Sequence, residues 1–263
     1  MNKHVLMEID PRGVATVTLN RPEKHNAFDE QLIAALTAAF NAVAGDDAAR
    51  VMVLGAKGKN FCAGADVDWM RRMAGFSYEE NLADAGALAD MLETLNFLPV
   101  PTITRVHGAA LGGGAGLVCC CDMAVAETGA SFAFSEARLG IIPATISPYV
   151  ARAIGLRAAR RYCLTAERFD AQQARALGLV NDVVPEAGLD ESVGKIVSEI
   201  LKNGPEAVRA AKRMIFEAAE RELNDELLRE TCERIATVRA TGEAREGLSA
   251  FLEKRSPSWT VNR

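Results

Sequence analysis

No apolar run in this sequence approaches the roughly 20 residues that a bilayer-crossing helix requires, so a membrane-spanning helix is excluded. The opening stretch, MNKHVLMEIDPRG, also lacks the apolar core of a signal peptide, and the chain is expected to be cytoplasmic. There is no block of lysine or arginine, and the formal net charge is -5, which argues against nucleic acid as a partner. Histidine is scarce: His4, His25 and His107 stand far apart and form no HxxxH pair. The six cysteines (Cys62, Cys119, Cys120, Cys121, Cys163 and Cys232) make no CxxC cluster, so neither pattern suggests a metal site. The adjacent triplet sits in an apolar run and reads as small buried hydrophobes in a reducing compartment. Internal repeats, low-complexity tracts and flexible linkers are missing too.

What remains is an ordinary globular composition, 49% hydrophobic and 25% charged over 263 residues, enough for a sizeable core. Val14 to Leu19 (VATVTL) alternates like a strand, and NRPEKHNAF breaks the pattern before a helix in which Leu32, Leu36, Phe40 and Val43 share one face. Val51 to Leu54 (VMVL) is uniformly apolar, as in a strand covered on both faces, and Thr102 to Val106 reads the same way. A helix follows from about Gly113, then a short strand around Met123 to Ala126. Strand and helix in this alternation predict an α/β architecture with crossovers. From Pro205 the sequence becomes charged and helical, with an apolar stripe including Val208, Met214, Leu227 and Ile235 that is expected to pack on its own core or on a neighbouring subunit. The expected organisation is an α/β core over residues 1–200 carrying the site and a helical region over 201–263.

Two glycine-bearing stretches carry the chemistry. In FCAGAD, Phe61 to Asp66, small residues allow a tight bend and close approach of a ligand to the backbone, and Asp66 is placed to cap a helix beginning VDWMRRM. In GAALGGGAGLVCCCD, Gly108 to Asp122, each helical glycine costs about 1 kcal/mol relative to alanine, so the run needs a reason. Either stretch alone reads as a turn or a close packing site. Together, both following strands and leading into helices, they suggest two unpaired amides forming an oxyanion hole for a thioester carbonyl that becomes an enolate.

FCAGAD, GAALGGGAGLVCCCD and FAFSEARLGIIP, with the opening NRPEKHNAF and closing FLEKRSPSW, resemble the crotonase (enoyl-CoA hydratase/isomerase) superfamily over nearly the whole chain and in order. The resemblance implies a spiral of ββα turns with a C-terminal helical trimerisation region, assembling as a homotrimer or homohexamer. It also implies an acyl-CoA substrate, with CoA arriving as part of that substrate and no separate cofactor or metal. Ala65 and Gly113 match the two amide donors to the thioester oxygen. Ala63, Ala65, Asp66 and Val67 match the segment beside the CoA pantetheine and adenine; Lys24 and His25 match positions near its phosphates and ribose. Phe251 and Lys254 match tail residues that reach CoA on a neighbouring subunit.

The well-known hydratases of the family use two glutamates. Glu136 matches the second, while the first falls at Gly116. One carboxylate suffices for double-bond migration and could serve hydration in sequence, so hydratase and isomerase both stay open. GADVDWMRRMAGFS, the GGG helix without its glutamate, SEARLGIIPA and ISPYV resemble methylglutaconyl-CoA and isohexenylglutaconyl-CoA hydratases of leucine and acyclic terpene breakdown. Such substrates carry a second carboxylate that must be paired inside the pocket, for which Arg71, Arg72 and Arg138 are available and Arg72 or Arg138 is the candidate. Trp69, Met70 and Met73 are expected to line or back the acyl pocket, or simply to pack in the core. A non-catalytic CoA-thioester or RNA-binding role is the alternative of another class, opposed by Glu136 and the negative charge.

Overall fold

The computed structural model describes residues 3–219 and 221–260. In chain order the elements are β1 (Val5–Ile9), β2 (Val14–Leu19), α1 (Glu30–Ala44), β3 (Val51–Ala56), α2 (Val67–Met73), α3 (Tyr78–Asn96), β4 (Thr102–Val106), β5 (Ala109–Leu111), α4 (Gly113–Cys120), β6 (Met123–Glu127) and β7 (Ser131–Ala133). There follow α5 (Ser147–Thr165), β8 (Phe169–Asp170), α6 (Ala171–Ala176), β9 (Asp182–Val184), α7 (Leu189–Leu201), α8 (Pro205–Ala219), α9 (Asp225–Arg239) and α10 (Gly242–Leu252).

The main sheet runs β1-β2-β3-β4-β6-β9; β1 is antiparallel to β2 and every other pairing is parallel. A second sheet, β5-β7-β8, lies alongside. Each parallel step needs a crossover, and the chain makes it by contributing to both sheets before its helix: β4, β5, α4, then β6, β7, α5. The preceding turn has the same plan in shorter form, because Cys62 makes an isolated parallel bridge to Ala110 before α2 and α3. This is the expected α/β spiral of ββα turns.

The uniform apolarity of β3 follows from burial on both faces. Met52 and Leu54 join the large core with Phe28, Phe40, Leu92 and Phe132, whereas Val51 and Val53 join a smaller cluster under Leu189, Val193 and Val197 of α7. In α1, Leu32, Leu36, Phe40 and Val43 are buried as their spacing predicts. β1 has no such signature, since Leu6, Met7 and Glu8 are all exposed. The helical sequence after Pro205 divides into α8 and α9, with Glu220 outside the described residues. Its apolar stripe does not pack on the chain's own core as a whole: Leu227 is buried, Val208 and Met214 are half-buried, and Ile235 is exposed.

Candidate active site

The NRPEKHNAF loop is a clamp. His25 and Asn26 both have positive φ (52° and 55°), a conformation that asparagine accepts more readily than most residues. It aims the fully buried Asn26 side chain inward, where its oxygen accepts from the Arg21 N–H (2.8 Å) and its amide donates to the carbonyls of Lys57 (2.8 Å) and Asn60 (2.9 Å). Arg21, also buried, pairs with Asp29 at 2.7 Å and Asp66 at 3.5 Å. The loop thus fixes the start of FCAGAD, and the Ala63 N–H donates to the His25 carbonyl (3.0 Å).

Beyond Ala63 the segment pairs with Phe28 through flanking groups: the Phe28 N–H donates to Gly64 O (2.7 Å) and the Asp66 N–H to Phe28 O (2.8 Å). In such a parallel bridge the amide of the central residue points the other way. Ala65 N–H accordingly has no acceptor among the described residues. Gly64 supplies the bend (φ +95°), and Asp66 caps α2 by accepting from the N–H groups of Asp68 (2.7 Å) and Trp69 (3.4 Å).

Each glycine of the triplet meets a different neighbour. At Gly112 (φ +51°) a Cβ would lie 3.0 Å from Glu136 Oε1; at Gly113 it would lie 2.8 Å from the Phe28 ring; at Gly114 it would lie 2.6 Å from the Cys62 carbonyl. Phe28 therefore joins the two halves, its backbone paired to Gly64–Asp66 and its ring against Gly113. Gly113 opens α4, so its N–H has no intrahelical partner, and none is found elsewhere among the described residues. Two free amides, one at a helix start, are held by the same phenylalanine.

Glu136 stands beside them on a short 3₁₀ turn, Glu136–Leu139. Its Oε2 is out of solvent contact and has no hydrogen-bond partner. Burial raises the carboxyl above its ordinary value, opposed only by its own backbone N–H. A buried polar oxygen without a partner costs stability, and groups of this kind cluster at functional sites.

Comparison with known families decides what this arrangement belongs to: the enoyl-CoA hydratase/isomerase model matches residues 10–262. The chain belongs to the enoyl-CoA hydratase/isomerase family. The crystal structure of an enoyl-CoA hydratase from Shewanella pealeana is similar, with a TM-score of 0.95 at 44% identity, covering 98% of this chain and 97% of that one. Another from Mycobacterium smegmatis has a TM-score of 0.92 at 38% identity, covering 98% and 99%. The enoyl-CoA isomerase/hydratase fer4 of Mycosarcoma maydis is 34% identical over 94% of this chain and 93% of its own. The protein is thus an enzyme of the enoyl-CoA hydratase/isomerase type, and an acyl-CoA is its substrate class.

The remaining residues expected at CoA divide. His25 and Ala63 line one cleft of about 680 Å³ with Lys59, Asn60 and Arg168, and His25 Nδ1 lies 3.1 Å from Asn60 Nδ2. Val67 is exposed at the start of α2. Lys24 and Asp66 are engaged within the protein: the ammonium lies 2.9 Å from Asp68 and 3.7 Å from Asp66, and the Asp66 carboxylate is buried as the α2 cap. Phe251 and Lys254 are exposed at the end of α10, which packs on α8 and α9. Within one chain neither makes a hydrogen bond or ion pair to the FCAGAD segment among the described residues.

Among the arginines, Arg72 grips Glu30 with two hydrogen bonds (3.3 and 2.7 Å) and Arg71 pairs with Asp68 (2.8 Å). Arg138, exposed and two residues beyond Glu136, has no partner among the described residues. Trp69 packs in the core with its indole N–H on Asp84 (3.0 Å), Met73 packs against that core, and Met70 is half-buried. Cys120 is buried and Cys119 and Cys121 are half-buried; burial raises all three thiols, Cys121 to about 11. No described helix is long and apolar enough to cross a membrane.

Sequence reasoning passed over Phe28, Asn26 and Ile146. The last is 1% exposed and fills the space beside Gly116, where a Cβ would lie 2.4 Å from Ile146 Cγ2. Only the asparagine had a local signal, its place in a turn before a helix.

Proposed function

We propose that the protein is a hydratase that adds water across the C2–C3 double bond of a branched enoyl-CoA bearing a second carboxylate, 3-methylglutaconyl-CoA or an isohexenyl analogue, in leucine or acyclic terpene breakdown. The observation that carries the reading is the unpartnered Glu136 carboxylate beside two free amides tied together by Phe28. The thioester oxygen accepts hydrogen bonds from the Ala65 and Gly113 N–H groups. Glu136 takes a proton from water as its oxygen bonds to C3, and negative charge moves onto the thioester oxygen. Each such donor is typically worth about 10²- to 10³-fold in rate. The carboxyl then returns the proton to C2, leaving one water added and Glu136 ionised again. Arg138 is the group that pairs the distal carboxylate, since Arg72 is already held by Glu30.

A second reading, enoyl-CoA isomerase, is favoured by the glycine at 116 and needs only the transfer of a proton from C2 to C4 of a 3-enoyl substrate or the reverse. Incubation with 3-methylglutaconyl-CoA, crotonyl-CoA and a 3-enoyl-CoA in ¹⁸O-labelled water separates the readings. Label in the product means hydration, a shifted double bond without label means isomerisation, and binding without turnover refutes both. Exposed Leu248, Phe251 and Leu252 of α10, with Leu228 and Ile235 of α9, support assembly into a homotrimer or homohexamer.

A further inference from the structure

Gly112, the residue that caps the start of α4, and Gly116, whose N–H donates to the Gly112 carbonyl (3.0 Å), stand one helical turn apart, about 6 Å for four rises of 1.5 Å. The upper level faces the Glu136 carboxylate and the lower one faces Ile146, whose Cγ2 and Cβ would lie 2.4 and 3.1 Å from a Cβ at 116. Behind it stands Leu92 Cδ2, 3.8 Å from the same point. Glu136 and Ile146 come from one stretch of chain, the turn after β7 and its lead into α5, whereas Leu92 belongs to α3. We propose that Ile146 is a positioning residue for Glu136: an aliphatic plug one helical turn below the carboxylate that keeps water, or a second polar group, off that flank. The inference rests on Glu136 being the acid/base of the proposed reaction.

The groups around the carboxylate make this specific. The first two turns of α4, Gly113 to Val118, carry no titratable side chain. Across α5 the group that senses Glu136 is the Cys163 thiol, held protonated by burial and by the Glu136 charge, with Cys119 beside it. Arg138 follows on the turn and is exposed. Among the described residues no cation is paired with the ionised form, so dryness governs its protonation. Ile146 is β-branched and 1% exposed, and a stiff side chain of this kind does not swing aside to admit water.

The test is the pH dependence of kcat/KM with crotonyl-CoA and 3-methylglutaconyl-CoA. Ionised Glu136 is the starting form, so activity falls on the acid side at its apparent pKa. Ile146→Ala lets water reach the flank and is expected to move that limb down by about one pH unit, with kcat changing more than KM. Ile146→Leu keeps the flank aliphatic and is expected to retain the parent midpoint. Should the alanine variant not fold, Ile146→Thr places a hydroxyl there and must move the limb in the same direction. An unmoved limb in the folded polar or truncated variant, with only stability lowered, overturns the proposal and reduces Ile146 to packing. If Glu136→Gln retains the parent rate, it is instead the acid/base reading that fails, and the inference falls with it.

Discussion

Gly116→Ala offers a sharp test of how α4 is packed. Taken alone, alanine in a helix interior is favoured over glycine by about 1 kcal/mol. Here the added methyl lands 2.4 Å from Ile146 Cγ2, well inside carbon–carbon contact, and Ile146 has no solvent into which to retreat. Overpacking a buried site costs about 1–3 kcal/mol, so the net effect runs from neutral to about 2 kcal/mol of destabilisation. Ile146→Leu removes the branch methyl at fault, and in that background the same alanine should stabilise by up to about 1 kcal/mol. The sign therefore reverses between backgrounds, with a coupling of about 1–3 kcal/mol. Urea unfolding followed by circular dichroism reads it, provided the slope of the transition is common to all four proteins. An alanine that raises the midpoint equally in both backgrounds would refute the packing argument, and with it the physical account of why residue 116 is glycine.

Glu136→Gln should lower turnover by about 10²-fold or more while leaving the fold intact. It should also melt above the parent at pH 8, because a carboxyl whose folded pKa is raised favours folding below its unfolded value and loses that contribution as pH rises through the folded value. The advantage should fade toward about pH 4, near the ordinary glutamate pKa, and a difference that does not change with pH would contradict a dry carboxylate. Arg138→Leu should raise KM for 3-methylglutaconyl-CoA and spare crotonyl-CoA; equal effects on both would remove Arg138 from substrate recognition. Phe28→Leu should lower kcat more than KM by loosening the alignment of Ala65 with Gly113, and steady-state kinetics with crotonyl-CoA would show a pure KM effect if the ring were mere filling.

The elements that could be read from the sequence are those whose pattern is local. VMVL announces a strand buried on both faces, and Asp66 before VDWMRRM announces a capped helix, because each signal is complete within a few residues. β1 escapes notice since its exposed residues break any alternation, and β5, β7 and β8 are two or three residues long, too short to carry a period. α5 conceals a bend, for Gly155 has φ 75° within what looks like a continuous helix. At the site, the glycines stand out as costly and so demand an explanation, but the reasons lie far away in sequence. Phe28 explains Gly113, Cys62 explains Gly114 and Ile146 explains Gly116. Engagement of Lys24 with Asp66 and Asp68 is likewise a long-range pairing that no spacing discloses.

The two amides have an experimental consequence of their own. A conventional alanine scan would leave position 65 untouched, and at 113 it would report the collision of a new methyl with the Phe28 ring rather than the loss of a hydrogen-bond donor. Replacing the N–H by an ester oxygen through backbone editing interrogates the donor itself while every side chain stays in place. For this protein, mutational tolerance at Ala65 and Gly113 measures crowding, and only an atom-level exchange tests the proposed role of the two donors.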